Sequence, residues 1–276
     1  MPELPEVETV RRGLAPVLEG AVIADARVHR GDLRFPFPAN LAKRLIGQRI
    51  VSVDRRAKYL LIRFRSEDVL LSHLGMSGRY RIYLDAPPPL EKHDHVELMT
   101  EAGAWIRYND PRRFGFMDLF PADAMASHKL LAGLGPEPLS NAFDGKALGA
   151  SLEGRSSAIK VALLDQRVVA GIGNIYASEA LFRAGISPNR KAATIKGVRA
   201  ERLAAAIRDV LSEAIAAGGS SLRDHRQTSG ELGYFQHRFN VYGREGDKCP
   251  GCDCNSSIRQ FAQGGRSTFY CAKRQR

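Results

Sequence analysis

Near the start of the chain the apolar positions Val7, Val10, Leu14 and Val17 recur at helical spacing, while Glu6, Glu8, Arg11 and Arg12 occupy the other faces. That period predicts an amphipathic helix. Pro5 and Glu6 suit its first turn, where a missing N–H costs nothing and a carboxylate complements the helix dipole. The pattern then changes. Short runs rich in β-branched and aromatic residues at 21–28, 49–54, 58–64, 69–74, 79–84, 95–100, 104–109 and 115–120 are separated by turn residues. This spacing predicts an antiparallel β-sandwich or barrel carrying one N-terminal helix.

Residues 133–154, rich in glycine and containing LGPEPLS, read as a linker. Beyond them the pattern is helical at 157–164, 175–184 and 196–217. Thr194 stands where the longest helix would be capped, and Gly218 and Gly219 where it would end. The tail, 240–276, is too short for a core of its own and needs a metal or a neighbouring domain to hold it. The expected organisation is α+β and multidomain: a β-sandwich at 1–132, the linker, a helical domain at 155–239 and a small terminal module. A length of 276 residues agrees with about two main domains.

Composition narrows the function. Hydrophobic residues at 44% and charged residues at 26% exclude wholesale disorder. No apolar run approaches the ~18 residues of a membrane span. The opening MPELPEVETVRR lacks the basic start and apolar stretch of a signal peptide, so a cytoplasmic protein is expected. The net charge of +11 is concentrated in the second half, where 133–276 carry 21 basic against 13 acidic side chains, and this points to a polyanion partner. All four cysteines, Cys249, Cys252, Cys254 and Cys271, lie near the C-terminus, and in a cytoplasmic chain such clustering favours a metal over disulfides.

Pro2 is the most unusual chemical candidate. Once Met1 is removed its nitrogen is a secondary amine that titrates near pH ~8, far below a lysine, and a fraction can attack an electrophilic carbon at neutral pH. Glu3 beside it is a candidate proton donor and acceptor. An exposed chain terminus is the other reading of the same two residues.

PELPEVETVRRGL at 2–14 resembles the amino terminus of formamidopyrimidine-DNA glycosylases. RRAKYL (55–60), HLGMSG (73–78), KHDHVEL (92–98), DPRRFG (110–115), GIGNIYASEALF (171–182) and GRSTFYC (265–271) extend the resemblance, in order, over nearly the whole chain. PELPEV is similar to this branch rather than to endonuclease VIII, which opens PEGPE.

The resemblance implies a fold of three parts: an N-terminal β-sandwich, a helix-two-turn-helix domain and a β-hairpin zinc-finger-like module. It implies a bacterial base-excision-repair enzyme, cytoplasmic and nucleoid-associated, that acts as a monomer on double-stranded DNA. Oxidised purines, 8-oxoguanine and formamidopyrimidines would be excised through an imine with Pro2, followed by β- and δ-elimination. No nucleotide or redox cofactor is implied. Glu3 and Lys58 would move protons, and Arg266 at the hairpin turn would hold a phosphate and assist δ-elimination. Met76, Arg112 and Phe114 match the residues that fill the void left by the extruded base. His93, Arg112, Arg155, Lys160 and Asn174 are candidate DNA contacts, and 220–235 matches the loop that covers the flipped base. A non-catalytic damage-binding protein and an oxidised-pyrimidine glycosylase are the competing functions.

The tail departs from the family pattern. The fourth zinc-ligating cysteine belongs at 274, which is Arg274, and a guanidinium has no lone pair to offer zinc. The segment CPGCDC holds one cysteine more than usual. Three arrangements remain open: a rearranged site of Cys249, Cys252, Cys254 and Cys271 holding one Zn²⁺, a weaker site completed by water, or a hairpin folded by packing alone.

Overall fold

A computed structural model describes residues 2–220, 228, 233–251, 253 and 255–276. The chain divides into two compact units, Met1–Ala132 with Ala217–Tyr234, and Gly133–Ala216 with Phe235–Arg276.

The first unit opens with α1 (Leu4–Leu18), which buries Val7, Val10, Leu14 and Leu18, while Val17, the fourth position of the expected face, is only partly buried. Eight strands follow: β1 (Ile23–Val28), β2 (Ile50–Arg56), β3 (Tyr59–Phe64), β4 (Asp68–His73), β5 (Arg79–Tyr83), β6 (Asp94–Thr100), β7 (Trp105–Asn109) and β8 (Phe116–Pro121). They form two four-stranded antiparallel sheets, ordered β1-β6-β7-β5 and β2-β3-β4-β8. Ile23, Val96 and Ile106 from one sheet share a single apolar cluster with Val53, Ile62 and Leu70 from the other and with the buried face of α1. This is the expected sandwich with its helix. The structure adds α2 (Leu41–Leu45), whose five residues are too few to display a period although Leu41 and Leu45 are buried.

The second unit contains α3 (Gly145–Leu152), α4 (Ile159–Leu164), α5 (Asn174–Arg183), α6 (Val198–Ala216) and a hairpin of β9 (Arg259–Gln263) and β10 (Arg266–Tyr270). The stretch 133–154, read from sequence as a linker, thus includes a helix. Asp144 caps α3 by accepting from Ala147 N–H at 2.7 Å, and Leu148 and Leu152 are fully buried. Gly145 permits the close packing of α3 on α6, because a Cβ there would fall 2.5 Å from Glu201 Cα. Thr194 does not cap α6. Its hydroxyl donates to Lys191 O at 2.7 Å within a 3₁₀ turn, and α6 starts four residues later. Gly218 and Gly219 do end that helix, with φ of 74° and 78°. The chain then returns to the first unit, so 155–239 is not one continuous body. Among the described residues no helix is long and apolar enough to cross a membrane.

Candidate active site and nucleic-acid interface

Pro2 and Glu3 are buried at the start of α1, where Glu3 is the extended N-cap residue. The Glu3 N–H donates to Glu6 Oε2 at 2.9 Å. Such a reciprocal cap fixes the direction in which the chain enters the helix, and therefore where the amine of Pro2 is held. Glu6 Oε1 in turn accepts from Ser220 N–H at 2.8 Å and from the Ser220 hydroxyl at 2.9 Å. Gly219 lies so close that a Cβ would sit 3.2 Å from Glu6 Cγ. The carboxylate of Glu6 ties the N-terminal end of the helix to the first residue of the 220–235 segment. From sequence Glu6 was placed only in the first turn of the helix; its bond to Glu3 had the three-residue spacing as a signal, and its bonds to Ser220 had none. The far end of the segment is anchored where Tyr234 N–H donates to Ala217 O at 3.1 Å. Residues 221–227 and 229–232 of the expected lesion loop lie outside the described residues.

Lys58 lies with Ala57 in the two-residue turn between β2 and β3, where Arg56 pairs with Tyr59. Ala57 takes a left-handed φ of 52° to close the turn, and Lys58 is 8% exposed. Its charge reaches His73. Burial, with the cations Lys58 and Arg34, lowers the pKa of His73 to about 4. His73 Nδ1 accepts from Gly75 N–H at 3.0 Å, which leaves its proton on Nε2, and the ring stacks on Phe116 at 5.0 Å.

The three expected void-filling residues come together on two loops braced by a buried carboxylate. Asp110, fully buried, accepts from the Ser77 hydroxyl at 2.5 Å and from Gly115 N–H at 2.8 Å. The Ser77 hydroxyl oxygen also accepts from Arg112 N–H at 3.1 Å. Met76 precedes Ser77, while Arg112 and Phe114 lie between the two braced positions on the other loop. A Cβ on Gly75 would fall 2.3 Å from Gly115 N, so only glycine lets the loops approach this closely. Phe114 is 43% exposed, with the Arg112 guanidinium 4.9 Å from its ring centroid. An aromatic exposed on a rigid loop is able to enter a base stack. His93 joins the same cluster: its carbonyl accepts from Asp110 N–H at 3.0 Å, and its ring meets that of His95 edge-on.

In the second unit, Gly173 and Asn174 begin α5, and the Asn174 side-chain amide donates to Ser267 O at 2.9 Å. The helix N-terminus and hairpin are thereby joined, and Arg266, exposed at the turn after Gly264 and Gly265, projects from the same hairpin. Lys160 is not placed as a phosphate contact. It is fully buried, and Nζ donates to Asn174 Oδ1 at 2.6 Å, Thr268 Oγ1 at 2.7 Å and Ser267 O at 3.0 Å. An ammonium has three protons, and all three are directed inward, so Lys160 positions Asn174 and β10. Arg155 is half-buried and pairs with Asp165 at 3.0 Å. Asp165 is held at a pKa of about 2, chiefly by its bonds with Arg167 and with further help from Arg155. Glu179 on α5 accepts from the backbone N–H groups of Asn240, Val241 and Tyr242, each at 2.9 Å, which moors the start of the tail.

Cys249 and Cys271 are buried in one cluster with Phe182, Val241, Ile258 and Phe269, and neither forms a disulfide. Cys252 and Cys254 lie outside the described residues, and among the described residues no three potential ligands gather. Position 274 does not fit zinc in the family manner. The Arg274 guanidinium donates to Gly251 O at 2.5 Å and to Phe182 O at 3.2 Å, and stacks over the Phe182 ring at 4.9 Å.

The first unit thus carries a buried Pro2–Glu3 terminus and an exposed Phe114 with Arg112 beside it, and the second a helix N-terminus joined to a basic hairpin. Two family models match the chain: the formamidopyrimidine-DNA glycosylase N-terminal domain over residues 1–117 and the formamidopyrimidine-DNA glycosylase H2TH domain over 134–226. The formamidopyrimidine-DNA glycosylase of Jannaschia sp. (strain CCS1) is 58% identical and that of Ruegeria pomeroyi 56% identical, each with 100% of both chains covered. Among solved structures, the MutM (Fpg) protein of Thermus thermophilus superposes with a TM-score of 0.86 at 42% identity, covering 99% of this chain and 98% of that one. The Lactococcus lactis Fpg in complex with DNA containing an abasic site gives 0.89 at 35% identity, with 99% of both chains covered. The chain belongs to the formamidopyrimidine-DNA glycosylase family.

Proposed function

We propose that this protein is a bifunctional DNA glycosylase and AP lyase that removes oxidised purines, 8-oxoguanine and formamidopyrimidines, from duplex DNA. The observation that carries the reading is the capped N-terminus: Pro2 and Glu3 are held at the head of α1 by Glu6, which also binds the segment expected to cover the flipped base.

With Met1 removed, the unprotonated Pro2 amine attacks C1′ of the damaged nucleotide. The C1′–N bond breaks, the base leaves with a proton, and the sugar ring opens to an iminium, with Glu3 supplying and removing protons at the ring oxygen and amine. The iminium acidifies C2′. Loss of that proton expels the 3′ phosphate, and loss of a second proton from C4′ expels the 5′ phosphate. Lys58 donates on the 3′ side, and Arg266 holds a phosphate during the second elimination. Met76, Arg112 and Phe114 fill the vacated space, and His93, Arg155 and Asn174 bind the backbone. The α5 N-terminus adds its dipole and backbone N–H groups. Zinc is assigned no step; any zinc would act only in holding the hairpin. The enzyme works as a monomer.

Borohydride reduction in the presence of an 8-oxoguanine duplex tests the reading. A covalent adduct located at Pro2 is expected, and Pro2→Gly should lose base excision by at least about a hundredfold while still binding the duplex. Normal excision without an adduct excludes the imine. Binding without excision by protein lacking Met1 leaves the non-catalytic alternative, and preference for a thymine-glycol duplex selects the oxidised-pyrimidine alternative.

A further inference from the structure

Arg274 occupies the position at which the family pattern calls for the fourth zinc-ligating cysteine, and its contacts are those of a crosslink. The guanidinium spans two carbonyls from separate segments: Gly251 O, in the turn that follows Cys249, and Phe182 O, at the last turn of α5. Its plane lies over the Phe182 ring. The fit is close on every side. A Cβ on Gly251 would lie 2.8 Å from Phe182 Cζ and 3.0 Å from Arg274 Nε, so the glycine makes room for the arginine.

The neighbouring chain carries the clasp onward. Gln275 Oε1 accepts from Cys271 N–H at 2.9 Å, and Gln275 Nε2 donates to Ile186 O at 2.9 Å. Arg276 N–H donates to Gly185 O at 3.1 Å. Beneath these bonds, Cys249, Ile258, Phe269 and Cys271 are buried in one cluster with Phe182. The strand held in this way, β10, begins at Arg266.

We propose that Arg274 is a positioning residue that replaces the metal crosslink of the terminal module, clasping the Cys249–Gly251 turn to the end of α5 so that the hairpin presents Arg266 without bound zinc. A planar fork with five donors bonds two carbonyls while stacking on a ring, which a lysine ammonium on a flexible stem does not reproduce. The inference rests on the reading of Arg266 as a DNA-contacting residue.

The test uses the full-length protein and a duplex containing a tetrahydrofuran abasic analogue. Wild type, dialysed against a strong zinc chelator, should keep its duplex affinity and the slow hydrogen exchange of backbone amides across 259–271. Arg274→Ala should lose affinity about tenfold and lose that protection, while α6 amides exchange as in wild type. On an 8-oxoguanine duplex its KM should rise, with single-turnover excision at saturating duplex within about twofold of wild type. Arg274→Lys should behave as Arg274→Ala. Chelator-induced loss of affinity or protection in wild type overturns the proposal, as does an Arg274→Ala protein with unchanged amide protection. Arg266→Ala, measured alongside, separates the two readings: if it binds as tightly as wild type the role of Arg266 fails, and amide protection in Arg274→Ala still judges the clasp.

Discussion

His73 shows how a single half-buried ring records its surroundings. Burial together with Lys58 and Arg34 holds its pKa near 4, below the usual histidine value of about 6.5. Both folded and unfolded chains carry a neutral His73 at pH 7, so it adds no pH dependence there. As pH falls through ~6.5 the unfolded chain takes up a proton that the folded chain refuses until ~4, and folding loses up to about 3 kcal/mol across that window. His73→Gln removes this contribution. Urea unfolding at pH 7, 5.5 and 4.5 should therefore show wild type losing stability more steeply than His73→Gln; parallel profiles would refute the assignment. Glu8 behaves in the opposite sense. Its burial raises the pKa, but Arg11, Arg12 and Arg55 outweigh burial and hold it below the ordinary carboxylate value.

At the scale of elements, the placing of Met76, Arg112 and Phe114 is a property of two loops rather than of three side chains. Asp110 accepts from Ser77 and Gly115 on facing loops, with the Tyr108 hydroxyl 3.5 Å from its Oδ2. Asp110→Ala should destabilise the first unit by roughly 2–4 kcal/mol, because buried donors lose a charged acceptor. A loss below about 1 kcal/mol in denaturant unfolding would show that the loops are braced otherwise. Gly145→Ala should likewise strain the α3–α6 contact, costing about 1–3 kcal/mol in the second unit, where its Cβ would strike the Glu201 backbone; an unchanged melting transition would count against that packing. The legibility of these elements from sequence followed their physics. Helix α1 and the strands could be read because burial imposes a period on them. Helix α3 was hidden in a glycine-rich stretch because Leu148 and Leu152 are the only large apolar residues it buries, too few to display a period. Glu6 and Asp110 were missed because their partners, Ser220 and Ser77, lie far away in sequence, and no local spacing marks such a meeting. Lys160 carries the same lesson: a lysine in sequence shows its charge but not the three acceptors that enclose it.

Across the whole molecule the basic excess divides into charges that face outward and charges used internally, and salt titration separates them. Each phosphate neutralised by a side chain releases counterions and contributes about 0.9 to the slope of log affinity against log salt. Arg266 is exposed at the hairpin turn, so Arg266→Ala should lower that slope by about 0.9 and leave the melting transition near that of wild type. Lys160 is enclosed by Asn174, Ser267 and Thr268. Lys160→Met removes a buried ammonium that donates to Asn174 Oδ1, Thr268 Oγ1 and Ser267 O, of which Ser267 O keeps the Asn174 amide, and this should cost about 1–3 kcal/mol of stability. Its duplex affinity should fall through the loosened hairpin, with a salt slope equal to that of wild type, because no phosphate contact is lost with it. Affinity measured at four or five salt concentrations for the three proteins checks this. If Lys160→Met lowers the slope as much as Arg266→Ala does, the lysine reaches a phosphate in the complex and its enclosure is undone on binding. If it lowers only stability, the +11 charge of the chain overstates the number of cations available to DNA by at least this one.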